Sequence, residues 1–153
     1  MTLVLRSPVF EEGDRIPNLY TCLGRNLSPP LEWDGVPEEV MSFAVACEDP
    51  DAPKGTFQHW AVFDIPAYVR NLPEGFGNAE HQGIRQAIND FGKTGWGGPC
   101  PPPGHGEHRY RFRLFALNVE ALPVGDAPRC AEVTETAGHH IVAEAELTGL
   151  FSR

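Results

Sequence analysis

Hydrophobic positions along the 153-residue chain come in short runs separated by turn residues. Ser42 to Cys47 (SFAVAC) and His59 to Ile65 (HWAVFDI) are apolar runs bounded by Pro and Asp, which predicts buried or half-buried strands. From Arg109 to Leu117 the pattern is stricter. Arg109, Arg111 and Arg113 alternate with Tyr110, Phe112 and Leu114, a period of two that gives a strand one wet face and one core face. The period then changes: Ala131, Glu132 and Glu135 fit a short helix that fails near Gly138. Alternation returns from Ile141, with Ala143, Ala145 and Leu147 set against Glu144, Glu146 and Thr148. Turn-dense connections are predicted at 22–37, 48–58, 71–80 and 92–108. Connections of that length are long for a compact domain and are disproportionately functional.

Composition narrows the class. With 16 Gly and 15 Pro the chain is too often punctuated for a long-helix bundle, while 41% hydrophobic residues argue against disorder. Apolar stretches of only a few residues exclude membrane-spanning helices, so no stable membrane insertion is expected. A single, loop-rich, mainly β domain over 1–153 is the expectation, with no internal repeat or linker. Twelve basic against 21 acidic residues give a net charge of −9, which repels phosphate backbones and argues against nucleic acid as a partner. Met1-Thr2-Leu3-Val4-Leu5-Arg6 lacks the basic flank and long apolar region of a secretory signal, and the chain reads as cytoplasmic.

The four cysteines, at 22, 47, 100 and 130, lack CxxC spacing, so no structural zinc motif is present. Cys47 lies in an apolar run and reads as a small core residue. Cys22 and Cys100 both lie in turn-rich segments, where two free thiols and a pair are both open readings.

Two connections carry the candidate chemistry. In Asp49-Pro50-Asp51-Ala52-Pro53 the prolines bar a helix start, and in an extended segment both carboxylates point to one side. His59 opens the next strand and can fold back towards them, where a carboxylate would raise its pKa and make it a cationic donor. The plainer reading makes Asp49 and Asp51 turn formers that bond their own backbone. In the second connection, nine of the twelve residues from Gly95 to Gly106 are Gly or Pro, rigid yet able to let backbone approach a small group. Free N–H groups at Gly97, Gly98 or Cys100 would form an anion-binding nest. At its exit His108 and Tyr110 lie two apart on one strand and face the same way, adding an imidazole and a phenol. A Pro-rich exposed turn with Tyr110 in the core is the alternative. Asp49, His59 and His108 also have the composition of a two-His, one-carboxylate metal set, but nothing in the sequence fixes that geometry and no metal is assigned. No nucleophile elbow, P-loop or dinucleotide fingerprint appears, and no cofactor is expected.

Taken in order, Gly24-Arg25-Asn26-Leu27-Ser28-Pro29-Pro30-Leu31-Glu32-Trp33, Asp49-Pro50-Asp51-Ala52-Pro53, His59-Trp60, Gly97-Gly98-Pro99-Cys100-Pro101-Pro102 and His108-Arg109-Tyr110 resemble the phosphatidylethanolamine-binding, or Raf-kinase-inhibitor-like, family, closest to its prokaryotic branch. The resemblance covers nearly the whole chain. It implies a β-sandwich-like fold with a large central antiparallel sheet, a smaller second sheet and one or two short helices. It also implies a small surface pocket for phosphate, phosphorylethanolamine-like headgroups or carboxylate-like anions, lined by Asp49, Asp51, His59, Gly98, Cys100, Pro101, His108 and Tyr110, with Pro53, Phe57 and Trp96 as walls. A Cys22–Cys100 link and a homodimer follow from the same resemblance. Leu23, Trp96 and Phe151 depart from the family pattern, which often has an acidic residue, Tyr and Tyr there. The leading functional reading is a binding module that takes a small anion and modulates a protein partner such as a kinase or protease. The alternative is an enzyme using the two His, two Asp and Tyr110 for acid–base chemistry on a small phosphorylated or carbonyl substrate, with Cys100 as its one candidate nucleophile.

Overall fold

The computed structural model describes residues 2–77 and 83–153. Its strands are β1 (Val4–Arg6), β2 (Leu31–Asp34), β3 (Ser42–Asp49), β4 (Phe57–Pro66), β5 (Asn71–Leu72), β6 (Arg85–Gln86), β7 (His108–Leu117) and β8 (Ile141–Phe151). One helix, α1 (Cys130–Ala137), precedes β8, and a 3-10 turn covers Asn18–Tyr20. The strands form two antiparallel sheets, ordered β6-β4-β3-β7-β8 and β1-β2-β5.

All eight residues of β3 are buried, because both faces of the large sheet are covered. Phe43, Val45 and Cys47 face the core shared with Leu5, Leu31 and Trp33 of the small sheet. Ala44 and Ala46 face the other way, where their small side chains, with Ala61, let Cys130, Val133 and Ala137 of α1 pack close. This two-sided burial is why Ser42–Cys47 reads as a continuous apolar run. In β7 the alternation holds where the second face is polar, with Arg111 and Arg113 both on Glu48 (3.3 Å each) and Arg111 also on Glu146 (2.7 Å). It fails at Phe115 and Leu117, which the α1 side covers. The helix ends at Gly138 as the sequence predicts.

The predicted connections need correction in two places. The segment 22–37 contains β2, and 71–80 begins with β5; residues 78–80 lie outside the described ones. Strands of two to four residues are too short to display a period, so the small sheet is invisible to a search for alternation.

Two features close the end of the sandwich that carries the Gly/Pro-rich connection. Gly149 in β8 stands opposite Tyr110 in β7, and a Cβ there would meet Ile16 Cγ1 at 2.5 Å and Phe10 Cε2 at 2.9 Å. Its lack of a side chain lets the segment around Phe10 and Ile16 lie against the strand behind Tyr110. Cys22 and Cys100 form a disulfide across 78 residues, tying the turn after Tyr20 to the Gly/Pro-rich connection. The Cys22 N–H also donates to the Pro99 carbonyl at 3.1 Å. Cys47 and Cys130 are free and buried. Among the described residues no helix is long and apolar enough to cross a membrane.

The Gly149→Ala variant is expected to lose about 1–3 kcal/mol through overpacking against the fully buried Ile16, read as a lower urea midpoint at unchanged slope. Replacing both Cys22 and Cys100 by Ser is expected to lose up to about 4 kcal/mol, since the bridge constrains a long loop of the unfolded chain. Reductant added to the native protein should reproduce that loss in the urea curve and leave the double variant unchanged.

Candidate functional site

The site lies where β3 ends, β7 begins and β4 is irregular. Along β3 the odd-numbered residues face the inter-sheet core, so Asp49 ends the strand on the face of Phe43, Val45 and Cys47. Along β7 the even-numbered residues do the same, which sets His108 and Tyr110 beside it. In β4 the pairing with β3 shifts between Cys47↔Trp60 and Glu48↔Gln58, leaving His59 as the extra residue of a bulge. Bulges re-aim side chains, and this one turns His59 towards Tyr110, with ring centroids 5.3 Å apart.

Asp49, His59, His108 and Tyr110 are all at least 95% buried. Asp49 Oδ2 accepts a hydrogen bond from His108 Nδ1 at 2.6 Å, and its Oδ1 accepts from the Asp51 N–H at 2.8 Å. His59 Nδ1 donates to the Gly97 carbonyl at 2.5 Å, which fixes that nitrogen as the protonated one and leaves Nε2 as the acceptor. Burial pushes the His59 pKa down, against the smaller upward pull of that carbonyl and of Asp49. The sequence expectation of a carboxylate-paired, cationic His59 is thereby corrected: the buried carboxylate bonds His108, and His59 is neutral. Burial and the neighbouring Asp49 likewise push the Tyr110 phenol well up, so it stays a neutral group.

These four line a cleft of about 170 Å³ together with Pro53, Phe57, Cys100 and Pro101. That volume is close to a cavity that takes one benzene ring, ~150 Å³, and matches a headgroup-sized moiety. Ala52, Phe91 and Pro102 complete the lining. Phe91 packs edge-on to Phe57 (4.7 Å) and to His59 (5.5 Å). It is presented by a turn that Asn89 organises: the Asn89 Oδ1 accepts from the N–H groups of Phe91 (2.9 Å) and Lys93 (3.2 Å), and its Nδ2 donates to Gly95 O (2.8 Å). Sequence reasoning passed over Phe91; its signal is the Asn89-Asp90-Phe91-Gly92 turn.

Three residues expected in the lining are elsewhere. Asp51 follows the end of β3, so strand alternation no longer governs it. It turns to the opposite face and takes the Arg109 guanidinium in a two-pronged pair, 2.9 and 3.0 Å, plus the Arg109 N–H at 3.0 Å. The Arg109 hydrogen bonds hold its pKa down at about 2. Trp96 is half-buried against the core, stacked on Phe112 at 5.9 Å and edge-on to Trp60 at 5.3 Å, its Nε1–H without a partner among the described residues, and it lines a second pocket with Gly98 and Cys100. Gly98 lies behind the cleft wall, where a Cβ would meet Asn26 Oδ1 and the Tyr20 carbonyl; no other residue fits.

The predicted backbone nest is also corrected. The Gly97 N–H donates to the His59 carbonyl (3.1 Å) and the Gly98 N–H to Asn26 Oδ1 (3.0 Å). Of the three candidates, Cys100 alone has an N–H without a partner among the described residues. Among the described residues no group of three His, Cys, Asp or Glu side chains is arranged to hold a metal ion. His105, on the turn before β7, reaches His108 Nε2 with its Nδ1 at 2.7 Å and was also passed over, its signal being the His105-x-x-His108 spacing.

The family model for phosphatidylethanolamine-binding proteins matches residues 6–152. The chain is 48% identical over 145 residues to the UPF0098 protein of Aquifex aeolicus, covering 94% of this chain and 85% of that one. It is 44% identical over 151 residues to the UPF0098 protein of Methanothermobacter thermautotrophicus, covering 97% and 98%. Its fold superposes on the crystal structure of Escherichia coli YbcL, described as a new member of the mammalian PEBP family, with a TM-score of 0.94 at 36% identity, over 100% of this chain and 99% of that one. On sequence and fold, the chain belongs to the phosphatidylethanolamine-binding protein family.

Proposed function

We propose that this protein is a non-catalytic binding module whose cleft takes a small oxyanion, a phosphate or phosphorylethanolamine-like group free or carried by a partner protein. The observation that supports this reading most is that the hydrogen-bonded Asp49–His108 pair and Cys100, whose N–H has no partner among the described residues, line one small cleft. Aromatic and proline walls lower the local dielectric, which strengthens polar contacts made there. The catalytic alternative is weakened by one fact: Cys100, its candidate nucleophile, is tied in a disulfide and carries no thiol.

Titrating phosphate and O-phosphorylethanolamine while following 1H–15N spectra is expected to shift the Cys100 amide and the His108 ring saturably, with dissociation constants in the millimolar range or tighter. His108→Asn should weaken both ligands at least about tenfold, through loss of the imidazole that Asp49 and His105 hold between them in the cleft wall. His108→Ala serves only as a stability probe, because it strands the buried Asp49 carboxylate. Absence of saturable shifts in the native protein, or full affinity in His108→Asn, overturns the assignment.

The buried His59 gives a pH dependence with a definite sign. Its folded pKa lies below the ordinary value near 6.5, so between the two values the unfolded chain binds the proton and the folded chain does not. The associated stability is complete above about 6.5 and is lost as pH falls below it. Urea midpoints should therefore decline from pH 7.5 to 5.5, by at most about 1.4 kcal/mol per pH unit, and His59→Gln should flatten the decline. Asp51 acts in a separate window: its depressed carboxyl adds stability above about 3.9 that is lost only on further acidification towards 2.

A further inference from the structure

The hydrogen-bond line that begins at Asp49 does not end in the cleft wall. His108 Nδ1 is bonded to Asp49, and His108 Nε2 lies 2.7 Å from His105 Nδ1, with the two rings edge-on and their centroids 4.9 Å apart. His108 is 2% exposed, whereas His105 is a solvent-exposed residue. Two ring nitrogens bond each other only when one proton lies between them: two bare nitrogens have nothing to share, and two protonated ones repel. The line therefore connects bulk water to a buried wall of the cleft through a single shared proton. Gly104 and Gly106, with φ of +75° and +93° and open space where a Cβ would be, give the turn the backbone that folds His105 onto His108.

An oxyanion in this cleft needs positive charge that the remaining wall does not supply. No Lys or Arg lines it, and the lining includes the buried Asp49 carboxylate. His59 is neutral with its one proton on the Gly97 carbonyl, and the Gly97 and Gly98 N–H groups are engaged within the protein. Like charges brought together in a desolvated site repel unless a proton accompanies them.

Resting on the reading of the cleft as an oxyanion site, we propose that His105 is part of that site: the anion enters together with one proton, which the His105–His108 pair takes from solvent and holds against Asp49. The charged and titratable groups around the pair are Asp49 from β3, His59 from β4, and Tyr110 from β7. Beyond these are Asp51 with its Arg109 partner, Glu107 between the two histidines in sequence, and Arg153. The Arg153 Nε donates to Pro101 O at 2.7 Å and its carbonyl accepts from the Gly104 N–H at 3.1 Å. Among the described residues, none but His105 joins His108 to the solvent side by a hydrogen bond.

Sulfate is the probe, since it does not titrate near neutrality and any pH dependence belongs to the protein. Calorimetric titrations from pH 5.5 to 8, in buffers of different ionisation heat, measure affinity and protons taken up together. Native protein is expected to bind sulfate more tightly as pH falls, by up to about tenfold per unit, with uptake approaching one proton. His105→Ala and His105→Gln, on an exposed turn and checked for fold by 1H–15N spectra, should bind at least about threefold more weakly at pH 7, with the rise displaced to lower pH. His139→Ala, on the α1–β8 turn, should match the native curve. If the His105 variants keep native affinity and proton uptake, the proposal fails while the oxyanion site stands. If native protein binds neither sulfate nor phosphate at any pH, the oxyanion reading falls and this proposal with it.

Discussion

The hydrogen bond between Asp49 and His108 joins the last residue of the central strand to the first residue of its neighbour, with both side chains at least 95% buried. A carboxylate in that position is tolerable only if it is compensated, because an uncompensated buried charge costs several kcal/mol. Much of the surrounding structure serves this requirement. The β3–β7 ladder brings the two side chains to one face. The Asp51–Arg109 pair clamps the same strand ends from the outside, and the Asp51 N–H supplies a second bond to Asp49. A cleft forms because the strands end here, and the small sheet does not extend to cover the pair.

What covers it instead is the Gly/Pro-rich connection, which has few side chains with which to anchor itself. Its hold is borrowed. Asn26 takes the Gly98 N–H, Asn89 takes the Gly95 carbonyl, His59 takes the Gly97 carbonyl, and the disulfide fixes Cys100. Two of the three glycines stand where a side chain would collide, Gly97 against Phe91 and Gly98 against Asn26 and Tyr20, and Gly95 has a φ of +100° that other residues rarely adopt. The surplus of glycine in the sequence thus has a steric reason at the wall of the site, and the glycines act there through fit and not through exposed N–H groups.

The parts of the site carried by uninterrupted strands were legible from the sequence. Alternation in β7 places His108 and Tyr110 on one face, and the structure has them there. Legibility ended where the strand did. Asp51 is two residues from Asp49 but past the last ladder pair, so the period of two misplaces it. His59 sits at a bulge, which no hydropathy pattern marks, and its charge state depends on burial and on a carbonyl 38 residues away. Trp96, assigned to the lining by resemblance, is held against the core by stacking on Phe112, a contact between residues that share no local pattern. The small sheet was missed for a simpler reason: its strands are too short for a period to repeat.

The chemistry open to the cleft follows from where its protons are. A general base beside an activated sulfur would need a thiol at Cys100, and the bridge to Cys22 removes it; in a reducing compartment that thiol would return, a few residues from His105 and within the same lining as His108. The redox state of one bond therefore divides a rigid cleft with a closed sulfur from a looser one with a reactive sulfur. In the bridged form the lining offers a neutral imidazole, a neutral phenol, a carboxylate-bound imidazole and one free N–H, none of them a nucleophile of the usual kinds. Nucleophilic catalysis therefore has no side chain to start from among the residues that line the cleft in that form.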